Sequence, residues 1–393
     1  MRLLLLTGKG GVGKTTLAAA TGAALARRGS RTLVVSTDPA HSLADAVDVP
    51  LGHEPVEVAD GLHGAQLDVR ALADDSWDEV RTQLRSALVR GAGLDGLEAE
   101  ELTVLPGVDE LLALTEVQRL ATGGRWDTVV VDCGPTAETL RLLALPDAVS
   151  GYLARMPGPL TKRSGLAQSL QALAARTGSL KDLLADPART SVRLVFTPER
   201  VVVAETRRTL TALALRGIRV DGMIANRVMP APGWWRGPAA AWVRTRRAQQ
   251  ETVLGELERS GFGSAAERLR TVEHRAAEPV GLAALHAIAD ELYGSSDPLG
   301  AGGGVDGAGE ADDTNLAPLL RMSATDVGYQ LRVAVPLARD SVVDLARVDD
   351  DLAITVDGVR RLIALPEPLR ACRITDAESD SRGVLVHLEG TDS

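Results

Sequence analysis

The sequence predicts an α/β protein: a doubly wound, mostly parallel sheet over residues 1–294, followed by a small all-β sandwich. Three observations carry this reading. Short apolar runs alternate with helical stretches over the first three-quarters of the chain, the pattern of strands joined by crossover helices. A glycine-rich loop links the first apolar run to the first helix. Beyond Ser295 the hydrophobic period shifts to two, as strands with one buried face require.

Leu3 to Leu6 reads as the first strand and Thr15 to Arg28 as an Ala-rich helix closed by Gly29. Thr32 to Ser36 is the next strand, so the unit is strand, crossover helix, parallel strand. Further strands are expected at Ala65–Asp68, Thr128–Asp132, Val192–Phe196 and Gly222–Ala225. Val108, Leu111, Leu112, Leu114, Val117 and Leu120 recur at helical spacing, and Val202 to Arg216 and Ala239 to Arg259 are helical in pattern. Residues 295–325 read as a linker: from Ser295 to Pro318 there are five acidic residues, no basic ones and many glycines. Residues 326–393 then give the period-two runs Tyr329–Val335, Leu352–Val356, Arg360–Leu365 and Val384–Leu388. Asp357-Gly358 between two of them signals a hairpin.

Composition excludes several classes. With 393 residues, two domains are expected, and 45% apolar content suits a packed core built from Leu, Val and Ala, since aromatics are 3%. A formal charge of −10 argues against nucleic acid as a partner. No run approaches the 18 apolar residues of a bilayer span, so stable membrane insertion is not expected, and the leucines after Arg2 are too few for a secretory leader. Cys133 and Cys372 give no disulfide framework, and a cytoplasmic protein is expected. Trp234, Trp235 and Trp242 beside Arg244, Arg246 and Arg247 read as a solvated helix face with tryptophans packing nearby.

The chemistry lies in Gly8-Lys9-Gly10-Gly11-Val12-Gly13-Lys14-Thr15, followed by Thr16. This is a P-loop pattern between a strand and a helix. Glycines let successive N–H groups turn inward around phosphate oxygens, and the helix start adds its positive end. Lys14 would reach the β- and γ-phosphates, and the Thr15 hydroxyl would ligate Mg2+. The chain has only four lysines against 39 arginines, yet two of the four, Lys9 and Lys14, sit in this loop. Asp38 ends the second strand, where a carboxylate faces the γ-phosphate and could position water. Val129 to Val131 lead into Asp132, a second Mg2+ ligand, and Gly134-Pro135-Thr136 beyond it suits a phosphate-sensing switch.

KGGVGKTT resembles the deviant Walker A of dimeric ATPases that include the chromosome-partition, septum-site and nitrogenase-reductase families. That resemblance implies a homodimer in which Lys9 reaches the partner's nucleotide, as an arginine finger does. With STDPAHSLAD, LPGVDELLALTEVQRLATGGRWDTVVVDCGPTAETLRLLALP, VFTPERVVVAETRRTLTALALRGIRVDGMIANRV and EPVGLAALHAIADELYG, the chain is similar to the ArsA-type ATPase family over nearly all of residues 1–294. That family contains the arsenite-pump ATPase and the targeting factor for tail-anchored membrane proteins. The resemblance implies ATP with Mg2+, Asn226 on the adenine and Asp38 as the catalytic carboxylate. YQLRVAVP, VRRLIALPEPL and RGVLVHLE resemble the α-crystallin-like domain of small heat-shock proteins.

Departures from the family pattern bear on function. Metalloid capture uses several thiolates, and Cys133 and Cys372 lie in different domains, so a pump-type site is not expected. The targeting factor's zinc-binding CxxC is absent, Glu138 stands where the family has a switch histidine, and Ser42 replaces an asparagine. A client protein with an apolar segment is a possible partner. The segments that could hold it are Ser76–Arg90, Leu94–Leu105 and Leu153–Leu184, although a leucine stripe such as that of Leu153–Leu184 more often belongs to a core.

Overall fold

The computed structural model describes residues 1–38, 42–67, 108–134, 175, 178–231, 233–234, 236–259, 269–300, 319–325, 328–335, 337, 341–380 and 383–390. Two compact units emerge. One comprises Met1–Gly10, Lys14–Arg189 and Pro279–Asp290; the other comprises Gly11–Gly13, Thr190–Glu278 and Glu291–Ser393.

In the first unit β1 (Arg2–Thr7), α1 (Lys14–Ala26) and β2 (Thr32–Ser36) form the expected crossover. α2 (Ser42–Val47), β3 (Val56–Ala59), β4 (Leu62–Gln66), α3 (Val108–Thr122) and β5 (Thr128–Asp132) follow. The strand order there is β3-β4-β2-β5-β1, parallel except for β3. Leu3 to Leu6 and Val129 to Val131 are buried throughout, because parallel strands here are covered on both faces. The register sets the site: Asp132 lies level with Leu6 on one side and Ser36 on the other. All three stand at the carboxyl ends of their strands, the edge at which open parallel sheets bind ligands.

In the second unit β6 (Thr190–Phe196), α4 (Arg200–Ala214), β7 (Val220–Val228), α5 (Pro238–Arg259) and β8 (Leu269–Glu273) continue the α/β pattern, with β6-β7-β8 parallel. α6 spans Gly281–Tyr293 within the stretch EPVGLAALHAIADELYG, and belongs to the first unit as far as Asp290.

The expected sandwich is present and its strand pairs are antiparallel. Its strands are β9 (Leu320–Thr325), β10 (Gly328–Val333), β11 (Val343–Val348), β12 (Asp351–Val356), β13 (Val359–Ala364), β14 (Cys372–Asp380) and β15 (Gly383–Gly390). They form one sheet in the order β14-β15-β10-β9 and another in the order β11-β12-β13. Leu331, Val333, Leu352, Ile354, Val356, Val384 and Val386 from the two sheets share a core. Asp357 (φ 49°) and Gly358 (φ 82°) turn β12 into β13 with two residues in the left-handed region, the geometry that Asp-Gly favours.

The differences from expectation have a common cause. β4 starts three residues before the expected Ala65, because Leu62-His63-Gly64 does not look like a strand. β3, β8, β9, β11 and β14 are absent from the sequence reading because most of their side chains are exposed or half-buried, leaving no apolar run to read. β9 occupies the last six residues of the stretch read as linker.

Candidate functional site

Gly8 is buried as the chain leaves β1, and Lys9, Gly10 and Gly11 form the exposed crest of the loop. Gly11 (φ 77°) and Gly13 (φ 93°) take left-handed backbone that side chains with a Cβ resist, so glycine is needed for the loop to curl. Val12 is buried between them and anchors the curl. Lys14 opens α1 only 6% exposed, its Nζ 3.4 Å from the Lys9 carbonyl oxygen. The buried ammonium is thus held beneath the loop. Thr15 and Thr16 are half-buried in the first turn.

Asp132 is the electrostatic centre. It is fully buried, and its Oδ2 accepts hydrogen bonds from Thr15 Oγ1 at 2.7 Å and Ser36 Oγ at 3.0 Å. Among the described residues its Oδ1 is buried without a hydrogen-bond partner. Burial pushes the carboxyl up to about 6, and the charge of Asp38 adds to the rise, while the Thr15 and Ser36 hydroxyls and the Lys14 charge oppose it. A buried carboxylate oxygen with no donor, beside a hydroxyl already aligned with its neighbour, is the donor set that a hard cation such as Mg2+ takes. Thr15 and Asp132 therefore fit the metal role expected of them.

Asp38 is half-buried one residue beyond Thr37, and its N–H donates to Ser36 Oγ at 3.3 Å. The Thr37 N–H donates to the Asp132 carbonyl at 3.0 Å, which ties the two strand ends together. Asp38 thus stands on the same edge as Lys14, Thr15 and Asp132. In the second unit, Asn226 Nδ2 donates to the Val12 carbonyl at 2.8 Å, and its Oδ1 accepts from the Arg227 N–H at 2.9 Å. Asn226 is therefore fastened to the glycine loop, and Arg227 beside it has a φ of 58°.

One participant escaped the sequence reading: Ser36 serves both Asp132 and the Asp38 backbone. Ser42, read from the sequence only as a departure from the family asparagine, has its Oγ 3.0 Å from Thr15 Oγ1. For Ser36 the only available signal was nearness in sequence to the Asp38 motif. Gln250 also went unnoticed: its amide bonds the Arg227 carbonyl and the Met229 N–H, bracing the end of β7.

Pro39, His41, Glu138 and the Pro135-Thr136 stretch lie outside the described residues. So do Trp235, Ser76–Arg90, Leu94–Leu105 and most of Leu153–Leu184. Trp234 and Trp242 are exposed, 87% and 59%, rather than packed as expected. Cys133 is fully buried, and burial pushes its thiol up to about 12, with the Asp132 charge adding to the rise. It is not a ready source of thiolate. Among the described residues no three His, Cys, Asp or Glu side chains cluster as a metal site, and no helix is long and apolar enough to cross a membrane.

A strand, a glycine loop curling around a buried lysine, and a hydroxyl paired with a buried aspartate define a P-loop nucleotide-binding protein. The chain belongs to the ArsA ATPase family, described as anion-transporting ATPases, whose pattern it matches over residues 1–294; residues 326–386 match the HSP20-like domain found in ArsA proteins. It is 38% identical to protein Rv2184c of Mycobacterium tuberculosis, over 96% of this chain and 93% of that protein. It is 33% identical to protein SCO2128 of Streptomyces coelicolor, covering 96% and 94%. With the arsenical pump-driving ATPase of Escherichia coli it shares 31% identity over 64% of this chain and 44% of that one.

Proposed function

We propose that this protein is a Mg2+-dependent ATPase that works as a homodimer and uses its nucleotide state to control the handling of a client protein. The observation that carries the reading is the buried Asp132, one oxygen bonded to Thr15 and Ser36 and the other without a donor, beside the buried Lys14. A structural aspartate at this depth would be fully paired.

Backbone N–H groups of Gly8 to Gly13 would hold phosphate oxygens, with Lys14 on the β- and γ-phosphates. Mg2+, held by Thr15 and Asp132, would supply positive charge to the triphosphate. Water attacks the γ-phosphorus as the bond to the β–γ bridging oxygen breaks, giving ADP and inorganic phosphate. Asp38 would orient that water and take its proton. Lys9, exposed at the loop crest, would stabilise the charge developing on the partner's γ-phosphoryl group. Asn226 would face the adenine from its seat on Val12. Hydrolysis would open and close the pair rather than transform a second substrate. Cys133 and Cys372 are both buried, and two cysteines are too few for the several thiolates that metalloid capture uses, which speaks against stimulation by a metalloid.

Phosphate release by the wild-type chain, Asp38→Asn and Lys9→Ala tests this. The reading expects Asp38→Asn to lose about 100-fold or more in turnover while still binding nucleotide. Mixing Lys9→Ala with Asp38→Asn should restore part of the activity, because the mixed pair contains one intact site. Equal rates for wild type and Asp38→Asn would instead favour a protein that is gated by nucleotide and barely hydrolyses it.

A further inference from the structure

α4 ends at Leu215, which caps the helix with φ −58° and ψ −21°. A helix end leaves its last carbonyls without intrahelical partners, and each needs a donor from elsewhere. The Thr211 carbonyl accepts from the Leu215 N–H and the Ala212 carbonyl from Arg216 Nη1. Leu213 accepts from the Arg216 and Ile218 N–H groups, and Ala214 from the Gly217 N–H. The Leu215 carbonyl is served differently. Its donor is Arg361 Nη1 at 2.6 Å, 146 residues further on, in strand β13 of the sandwich.

The Leu215 side chain follows the same course. It is fully buried, and it packs in one cluster with Leu331, Val356, Ile363 and Val386 of the sandwich core, with Ala214 against its margin. Val359, Arg361 and Ile363 alternate along β13 on its more buried side, between the exposed Arg360 and Leu362. An apolar seat beside a guanidinium matches the two things a leucine-ended helix presents: an aliphatic side chain and a carbonyl at the negative end of the helix dipole.

A second anchor holds the chain where it leaves α6. Arg193 Nη2 donates to the Pro298 carbonyl at 2.8 Å and Nη1 to Tyr293 Oη at 3.0 Å. The path towards the sandwich is therefore fastened at its start, in the same compact unit.

We infer that the sandwich is a receptor for a helix carboxyl terminus and that its resident occupant is the chain's own α4. Its face around Ile363 and Arg361 is filled in cis. A client bound there has to displace Leu215.

The test uses the full chain with a site-specific protease sequence inserted after Gly303. After cleavage, the two wild-type fragments should co-elute on gel filtration as one species. With Leu215→Asp they should separate, because a carboxylate cannot enter the apolar seat. Separation of the wild-type fragments would overturn the inference, as would co-elution of the Leu215→Asp fragments. Should Leu215→Asp fail to fold, Arg361→Met in the uncut chain decides. Amide exchange at Arg216 to Ile218 should rise at least ten-fold while exchange at Val384 to Leu388 stays unchanged. No rise at Arg216 to Ile218 would overturn the inference.

Discussion

Asp132 and Asp221 are both buried aspartates on strands of the α/β segment, 0% and 3% exposed, and they are built for opposite purposes. Asp221 is closed. Arg193 grips it with Nε at 3.0 Å and Nη2 at 2.7 Å, and Ser191 Oγ adds a bond at 3.1 Å. Asp132 is open: two hydroxyls on one oxygen, nothing on the other among the described residues, and a carboxyl pushed up to about 6 by its burial. A carboxylate paired with a guanidinium has spent its charge on the fold. One left with hydroxyls retains a vacancy that a cation can fill.

The largest effect should come from breaking the closed site. Arg193→Ala leaves Asp221 buried and uncompensated and should cost about 3–5 kcal/mol in chemical denaturation. Replacing both partners, as Arg193→Met with Asp221→Leu, should recover much of that loss.

The open site should respond with the opposite sign. In the metal-free protein, Asp132→Asn removes a carboxylate whose ionisation opposes folding. The raised acid is protonated in the fold and ionised in the unfolded chain between about pH 4 and 6. Wild-type stability relative to the variant should therefore fall across that window, and the variant should be more stable above it by about 1–3 kcal/mol. Denaturation in chelator at pH 4 and pH 7 measures the difference. A variant that loses stability at both values would remove the contrast between the two aspartates.

A matched pair sharpens the comparison further. Ser36→Ala and Ser191→Ala each delete one hydroxyl donor, worth about 1 kcal/mol. The Ser36 variant should also weaken nucleotide binding, whereas the Ser191 variant should leave it unchanged. The smallest effect belongs to the exposed Asp127, which Arg31 holds down at about 2. Its contribution is present above the usual carboxylate pKa and is lost as pH falls towards 2. Asp127→Asn should therefore differ from wild type only slightly at pH 7, and the difference should vanish in acid.

The open site was largely legible in the sequence, while the closed one was not. The glycine loop, Lys14, Thr15 and the apolar run into Asp132 are local patterns, and local patterns survive in one dimension. Asp357-Gly358 gave away its hairpin for the same reason. Arg193 and Asp221 lie 28 residues apart in sequence, and each alone looks like an ordinary charge. Their pairing exists only because β6 and β7 are neighbours. Ser36 became visible only once strand register brought it to Asp132, and Ser42, known from the sequence as a departure, gained its contact with Thr15 only in the fold. β8 and β9 hid because exposed edge strands carry no apolar signature, and Leu215 read as the end of a helix rather than as part of another domain's core.

Calorimetric titration with ATP and Mg2+, run on the wild-type chain and on Asp132→Asn, tests the assignment of the open aspartate most directly. The account predicts saturable heat in the wild type that disappears in chelator, and at least a ten-fold loss of affinity in a variant that is no less stable. Equal affinity in the two proteins, or no heat in the wild type, would contradict it.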